Sequence, residues 1–295
     1  MSSFGIPAQL LFLGVDGGGT GCRAAMCRAD GTRIGQATGG PANVSTDFDT
    51  AVDNIAKTVT AASLGAGLRD ADMRRVVAHL GIAGVVSDRI AARVAARLDL
   101  GDCRVTDDRP TTVAGALGDG DGAVVSLGTG SFVGARRGMA LRAVGGWGLP
   151  VSDQASAAWI GRAALTATLD AVDGLTAPSP LTDAILARFN HAPQAIVTFS
   201  AGAQPMDYGT MAPTVTAAAL DGDATAVAIL QAGAAWIERA LVAVGHDDAL
   251  PLCLMGGVAP AMQPYLMRAG RQIVAPVGTA LDGAVQLARR RVPLP

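Results

Sequence analysis

A carboxylate, a run of glycines and a hydroxyl follow one another near the start of the chain. An apolar strand pattern, residues 11–15, leads directly into Asp16. Consecutive glycines let the backbone approach a ligand closely and turn its N–H groups toward an anion. The hydroxyl adds a donor, and the carboxylate is an oxygen ligand of the kind that Mg²⁺ prefers. The pattern predicts a phosphate-binding turn with a metal position, formed by Gly17, Gly18, Gly19 and Thr20.

The residues after this turn distinguish between kinds of phosphate-binding loop. A dinucleotide-binding loop must open a helix. Here a second apolar run, residues 22–28, leads instead to Asp30-Gly31, which is a hairpin signal. The turn is therefore predicted to join two strands of a meander, which argues against a Rossmann loop. The absence of Gly-Lys-Ser/Thr argues against a Walker-type loop. A tight turn without a ligand is the alternative interpretation.

The strand–turn–strand pattern recurs later in the chain. The apolar run 123–127 leads to a turn of small residues that contains Thr129 and Gly130, and residues 132–135 form another apolar run. Two such turns in equivalent positions predict a duplicated domain with two phosphate loops that face one cleft. A third apolar strand, 251–255, ends at Gly256 and Gly257. These glycines could pass beneath an adenine or ribose, or form a plain strand-to-helix turn.

Length and composition predict two domains with sizeable cores. The chain has 295 residues, of which 50% are apolar and 16% are charged. The glycines of segment 118–122 predict a linker or hinge, so we expect one domain at 1–117 and a second at 118–295. Strands and helical patterns alternate along the first of them. This order predicts an α/β fold in which helices flank a mixed sheet.

Charge and cysteine usage limit the possible partners and compartments. The formal net charge is −2 and the chain has no dense run of Lys or Arg, so nucleic-acid binding is not expected. Four scattered cysteines without a CxxC pair favour a reducing compartment. A cleavable apolar leader and an uninterrupted apolar run of membrane-spanning length are both absent. These features predict a cytoplasmic protein that does not bind a membrane.

A carboxylate is also predicted at the end of another strand. Asp107 follows the short apolar strand 103–106 and precedes Pro110, which favours a helix start. A carboxylate at the carboxyl end of a strand in an open sheet could serve as a general base. It could equally cap the following helix.

Seven motifs occur in a fixed order along the chain. They are Asp16 to Thr20, Asn43, Thr106-Asp107, Gly128 to Ser131, Gly145 to Gly148, Asp153 to Ser156 and Met255 to Gly257. This set resembles the N-acetylglucosamine kinase and glucosamine kinase family, in the BadF/BadG/BcrA/BcrD ATPase group of the actin-like ATPase superfamily. The resemblance covers nearly the whole chain. It implies two actin-like (ribonuclease H-like) α/β domains with mixed sheets flanked by helices and a central cleft.

The same resemblance implies a reaction and residue roles. ATP with Mg²⁺ would phosphorylate the 6-hydroxyl of glucosamine or N-acetylglucosamine, a small-molecule amino sugar, and Asp107 would be the general base. Family members often have alanine after this aspartate, whereas Asp108 follows here, so either carboxylate could be the base. Asp16 would hold Mg²⁺, and Gly17 to Thr20, Thr129 and Gly130 would contact phosphates. Gly256 and Gly257 would lie at the nucleotide end. The positions that match the sugar pocket are Asn43, Ala83, Gly84, Gly146, Trp147 and Asp153.

Two other functions remain open at this stage. The same ATPase group includes activators of radical dehydratases, which need cysteines presented together to hold an iron–sulfur cluster. A non-catalytic sugar-binding regulator would need a DNA-binding segment, which is not expected before Leu10. The family also suggests a homodimer.

Overall fold

The structure, a computed structural model, describes residues 10–292. The chain divides into two compact units, the first formed by residues up to 120 together with those from 276 onward, and the second by residues 121–275. The elements are β1 Leu11–Gly17, β2 Cys22–Arg28, β3 Arg33–Gly39, α1 Phe48–Gly65, α2 Asp70–Met73, β4 Val76–Ile82, α3 Asp88–Ala96, β5 Asp102–Thr106, α4 Asp108–Leu117, β6 Gly122–Leu127, β7 Ser131–Arg137 and β8 Ala140–Gly145. They continue with α5 Ala157–Val172, α6 Pro180–Arg188, α7 Pro193–Gly202, α8 Pro205–Gly209, α9 Ala212–Leu220, α10 Ala224–Val244, β9 Leu252–Met255, α11 Ala259–Leu266, β10 Ile273–Val274 and α12 Ala280–Arg290.

The first unit contains a mixed sheet of five strands in the order β3-β2-β1-β4-β5. Strands β1, β2 and β3 form an antiparallel meander, as the hairpin signal predicted. Strands β1, β4 and β5 are parallel, and their register aligns Asp16, Gly81 and Thr106 in one row across the sheet. Because parallel strands end at the same edge, the residues that follow this row emerge together.

The second unit repeats this topology. Its five strands have the order β10-β9-β6-β7-β8, with an antiparallel meander from β6 to β8 and with β9 and β10 parallel to β6. Two mixed sheets flanked by helices confirm the predicted α/β class and the duplication. Strand β8 was not predicted, because its side chains are mostly exposed and Arg142 interrupts its apolar pattern. It is held by its pairing with β7.

The last helix belongs to a different unit from the one predicted. The sequence boundary at 118 assigned all later residues to the second domain, whereas residues from 276 onward pack with the first unit. Leu281 and Val285 of α12 form a buried cluster with Ala25 and Cys27 of β2. A boundary taken from local composition detects the linker, but it cannot detect the return of the chain to an earlier sheet.

Helix α10 is the one element of residues 10–292 that is long and apolar enough to cross a membrane by length and composition. This is weak evidence, because core helices meet the same criterion. Nine of its residues are buried, eight of them in the second unit's hydrophobic core. Glu238 in the same helix forms an ion pair with the buried guanidinium of Arg271.

Candidate active site

The first glycine turn is held by three backbone hydrogen bonds. The Gly18 amide donates to the Gly21 carbonyl oxygen at 2.8 Å, which closes the turn on itself. The Gly17 and Gly18 carbonyl oxygens accept from the amides of Ala83 and Ala42, each at 2.8 Å. A Cβ atom at Gly19 would meet no atom within 4 Å. The turn is therefore fixed at its base and open at its tip, as a ligand-binding turn requires.

Three residues predicted for the sugar pocket lie together beside this turn. The Val44 amide donates to the Ala83 carbonyl oxygen at 3.1 Å, which brings the Asn43 loop against the end of β4. Gly84 has φ of 83°, and a Cβ there would lie 2.3 Å from Asn43 Oδ1. Only glycine fits both this conformation and this approach. The structure thus brings Asn43, Ala83 and Gly84 together with the first turn.

Asp16 has a partner that the sequence reasoning missed. Arg23 Nη2 lies 2.5 Å from Asp16 Oδ2, and the two residues are directly opposite in the β1–β2 register. Arg23 is exposed although both of its neighbours in β2 are buried. A four-residue turn from Gly18 to Gly21 pairs residue 17 with 22 and residue 16 with 23, so counting back from the turn could have identified this arginine.

Asp107 caps α4 and holds Arg109. Its Oδ1 accepts from the Arg109 amide at 2.9 Å and from Arg109 Nε at 2.7 Å, and its Oδ2 accepts from Arg109 Nη2 at 3.2 Å. The predicted capping role is therefore confirmed, and the role as a base stays a prediction. Asp107 follows Thr106, so its carboxylate emerges at the same sheet edge as the Asp16 turn. The sequence analysis did not identify Arg109 either. Its position two residues after Asp107 does not distinguish a partner of Asp107 from an ordinary surface arginine.

Asp108 is the first residue of α4 and differs electrostatically from an ordinary surface aspartate. Burial raises the pKa of its carboxyl to about 6, and the charges of Asp107 and Asp16 contribute in the same direction. Part of the residue still reaches solvent. In the native protein this carboxyl therefore resists ionisation at neutral pH more than it does in the unfolded chain.

We expect Asp108→Asn to stabilise the first unit at pH 7.5 by about 1–2 kcal/mol. A carboxyl whose pKa is raised by folding disfavours the native state as pH rises from about 4 through about 6, and asparagine removes that penalty. The difference from wild type should vanish near pH 4, where the carboxyl is protonated in both states. Urea unfolding at the two pH values measures it. Asp99→Asn, at an exposed carboxylate, is the control, and an equal effect at both pH values would contradict the explanation.

The second glycine turn is also closed by a backbone hydrogen bond, but it is one residue shorter than the first. The Gly128 amide donates to the Gly130 carbonyl oxygen at 3.0 Å, and the Gly128 and Thr129 carbonyl oxygens accept from amides at the start of α5. Asp153 lies directly beneath it, since a Cβ at Gly130 would be 2.7 Å from Asp153 Oδ2. The turn is therefore supported from below by a carboxylate.

Asp153 is buried beside the second turn, and its predicted contact with a sugar stays a prediction. It is 6% exposed, has φ of 61°, and accepts from the Gly148 amide at 3.1 Å through Oδ1. Burial raises the pKa of this carboxyl. Asp153 connects the second turn to the loop 145–150, in which Gly146 has φ of 77° and Trp147 is 65% exposed. The contact of Trp147 with a sugar stays a prediction.

Gly256 lies against the second turn. It has φ of 95°, a Cβ there would be 2.3 Å from the Leu127 carbonyl oxygen, and the Val258 amide donates to that oxygen at 3.2 Å. A Cβ atom at Gly257 would meet no atom within 4 Å. A cavity of about 420 Å³ opens beside Gly256. It could accept a base and ribose, and its lining residues are Leu254, Gly256, Ala259, Pro260, Gln263, Ile273, Val274 and Ala275.

The described part of the chain contains no group of three or more His, Cys, Asp or Glu side chains that could hold a metal by themselves. Asp16 does offer the carboxylate oxygen that Mg²⁺ prefers, beside an open glycine turn. Such a site suits a hydrated Mg²⁺ that arrives with phosphate oxygens as its other ligands.

Comparison with known proteins gives the class to which this fold and site belong. The model of the BadF/BadG/BcrA/BcrD ATPase family matches residues 13–285. This range includes both glycine turns, Asp107 and Gly256. The chain is a member of that family.

Three similar proteins carry the name of an amino-sugar kinase. The chain is 34% identical over 284 residues to the glucosamine kinase GspK of Vibrio cholerae serotype O1, covering 94% of this chain and 95% of that protein. A candidate N-acetylglucosamine kinase from Chromobacterium violaceum is 33% identical with a TM-score of 0.86, over 96% of this chain and 100% of that one. A second, from Porphyromonas gingivalis, is 20% identical with a TM-score of 0.66 over 95% and 99% of the two chains, and shows the shared fold alone.

Proposed function

We propose that the protein is an ATP-dependent amino-sugar kinase that phosphorylates the 6-hydroxyl of glucosamine. The observation that carries the proposal is the row of Asp16, Gly81 and Thr106, which puts the first glycine turn and Asp107 at one edge of the sheet. Membership of an ATPase family supports the use of ATP. The identity to a glucosamine kinase along nearly the whole chain supports the amino-sugar substrate.

In the proposed reaction Asp107 takes the proton of the sugar hydroxyl. As the bond between O6 and the γ-phosphorus forms, the O6–H bond breaks and the bond to the β-phosphate oxygen breaks, which leaves ADP. Gly17 to Thr20 would contact the β- and γ-phosphates, and Asn43, Ala83 and Gly84 would contact the sugar. The capping contact with α4 fixes Asp107 for this task.

The second unit contributes the remaining proposed contacts. Thr129 and Gly130 would contact phosphate oxygens, and Gly256 with Gly257 would lie along the nucleotide, next to the cavity of about 420 Å³. Gly146 and Trp147 would contact the sugar, because an exposed indole offers a flat apolar face to a pyranose. Asp153 supports this proposal indirectly, since it holds the Gly148 amide and the second turn.

Asp16 is the residue that would hold Mg²⁺, which neutralises phosphate charge when it is bound. Arg23 forms an ion pair with this carboxylate, so a cation already lies beside the first glycine turn.

We expect Asp16→Asn to abolish most of the Mg²⁺ dependence of nucleotide binding. Calorimetry with ADP should show that Mg²⁺ tightens binding in the wild type and that this gain falls about tenfold in the variant, because a carboxylate ligand is lost. Asp30→Asn, at the far hairpin of the same meander, is the control. A variant with the full Mg²⁺ effect would show that another group holds the metal.

An ADP-release assay tests the function itself. Mg·ATP should support turnover with glucosamine and not with glucose or without sugar. Faster turnover with N-acetylglucosamine would move the assignment to that substrate. Sugar-independent ATP hydrolysis, or no activity with any sugar, would overturn the kinase proposal.

The placement of the cysteines does not support an iron–sulfur activator. Cys22 and Cys27 lie in β2 but belong to different buried clusters, and Cys253 is buried in the second unit. Burial raises the pKa of the Cys22, Cys103 and Cys253 thiols to about 11. A shared cluster needs accessible thiolates from one surface. The regulator alternative depends on residues before Leu10, which lie outside the described residues. Cytoplasmic location and a homodimer stay predictions.

A further inference from the structure

Arg109 surrounds the carboxylate of Asp107 with three donors from a single residue. Nε and the backbone amide both bind Oδ1, at 2.7 and 2.9 Å, whereas Nη2 binds Oδ2 at 3.2 Å. The side chains are 24% and 28% exposed. This fork-shaped contact fixes the plane of the carboxylate, which a single hydrogen bond would not do.

The two carboxylate oxygens of Asp107 accept different numbers of hydrogen bonds from Arg109. A carboxylate offers about four lone-pair sites, two on each oxygen. Oδ1 already accepts two short hydrogen bonds, and Oδ2 accepts one long one. A new proton is therefore accommodated at Oδ2 without displacing a donor. Protonation of Oδ1 would require the helix cap or the Nε contact to break.

Asp108, the residue next to Asp107, gives the Arg109 guanidinium a further role in balancing charge. Asp108 adds a second carboxyl directly beside the first, and the two interact unfavourably when both are ionised. The guanidinium of Arg109 follows immediately in sequence and contacts Asp107. It places a positive charge beside this pair of adjacent carboxyls and holds the Asp107 carboxylate in one orientation.

We propose that Arg109 is a positioning residue that fixes the Asp107 carboxylate and assigns Oδ2 as the atom that takes the proton from the sugar hydroxyl. The inference rests on the proposed kinase function. It adds a residue that is two positions from the base and that holds the base's carboxylate. Because Arg109 acts on orientation, its loss should lower kcat and leave substrate binding nearly unchanged.

The test compares Arg109→Met and Arg109→Lys in wild-type and Asp107→Asn backgrounds. We expect Arg109→Met to lower kcat by about 10- to 100-fold, with the KM values for sugar and ATP within about threefold of wild type. Lysine cannot reproduce the fork, so Arg109→Lys should restore only part of kcat. In the Asp107→Asn background, the additional substitution Arg109→Met should alter kcat by less than about threefold, because Arg109 and Asp107 act as one unit. Arg97→Met removes another arginine–aspartate pair of the same unit and should leave kcat unchanged.

Each other outcome contradicts the proposal in a recognisable way. A kcat for Arg109→Met within threefold of wild type would overturn the positioning role alone. So would an equal loss in both backgrounds accompanied by a lower melting temperature, because that is the result of a structural role. If wild type phosphorylates no amino sugar, the proposed function fails, and the role of Arg109 fails with it.

Discussion

Replacing Asp107 by asparagine is expected to lower the rate of amino-sugar phosphorylation by about 10³-fold. General-base catalysis contributes roughly 10²- to 10⁴-fold in enzymes, and asparagine keeps the shape of the side chain without its basicity. The amide oxygen can still accept from the Arg109 backbone N–H, so α4 keeps its cap. Steady-state kinetics with glucosamine, together with calorimetric binding of glucosamine and ADP, separates lost chemistry from lost binding.

The same measurement on Asp108→Asn decides between the two adjacent carboxylates. If Asp107 is the base, Asp108→Asn retains much more activity than Asp107→Asn. The reverse order of rates would make Asp108 the base, and the capping contacts of Asp107 would then be purely structural. Similar rates for both variants and wild type would mean that neither carboxylate accepts the proton.

The second large effect concerns the crossing of α4 and α12. Each helix has a glycine at this crossing, and the absence of side chains there lets the two backbones come into direct contact. A Cβ built at Gly115 would lie 1.9 Å from the Thr279 carbonyl oxygen. One built at Gly283 would lie 1.9 Å from the Thr111 carbonyl oxygen and 2.4 Å from the Gly115 amide nitrogen. These obstacles are backbone atoms, which cannot rotate away. The helices therefore have to separate if either glycine gains a side chain.

We expect Gly283→Ala and Gly115→Ala each to destabilise the first unit by about 3 kcal/mol, a large part of the stability of an ordinary domain. Because α4 begins next to Asp107, activity should fall as well. Urea unfolding and soluble yield measure the first effect, and the ADP-release assay measures the second.

Gly65→Ala is the matched control for this prediction. Gly65 is the last residue of α1, and a Cβ there would meet nothing within 4 Å. Alanine is a better helix former than glycine by up to about 1 kcal/mol, so this variant should be neutral or slightly stabilised. If Gly283→Ala behaves like Gly65→Ala, the close crossing of the two helices is not present in solution.

Local sequence patterns predicted the features of the site that depend on neighbouring residues. The turn after Asp16 follows from an apolar strand, three glycines and the Asp-Gly hairpin signal, all within residues 11–31. The position of Asp107 follows from a short strand and the helix start at Pro110. The structure confirms that the turn joins two strands and that Asp107 caps α4.

Other features depend on register and on contacts between distant segments. The pairing of Asp16 with Arg23 requires the exact alignment of β1 with β2, and the fork of Arg109 requires a side-chain conformation. The buried Asp153 has a positive φ, a backbone conformation that favours glycine and that local sequence did not indicate. The position of α12 depends on contacts with strand β2, which lies more than 250 residues earlier in the chain. Periodicity carries no signal for any of these.

The return of α12 to the first sheet has a consequence for synthesis of the chain. Ala288 of α12 packs on Phe12 and Val77 in the first unit. The ribosome synthesises these two residues early, but it synthesises α12 only after the second unit of about 155 residues. At roughly 5–20 residues per second, this apolar face waits on the order of 10–30 s on the ribosome. The nascent first unit is then a ready target for chaperones, while the uninterrupted second unit can complete its own core before the last helix arrives.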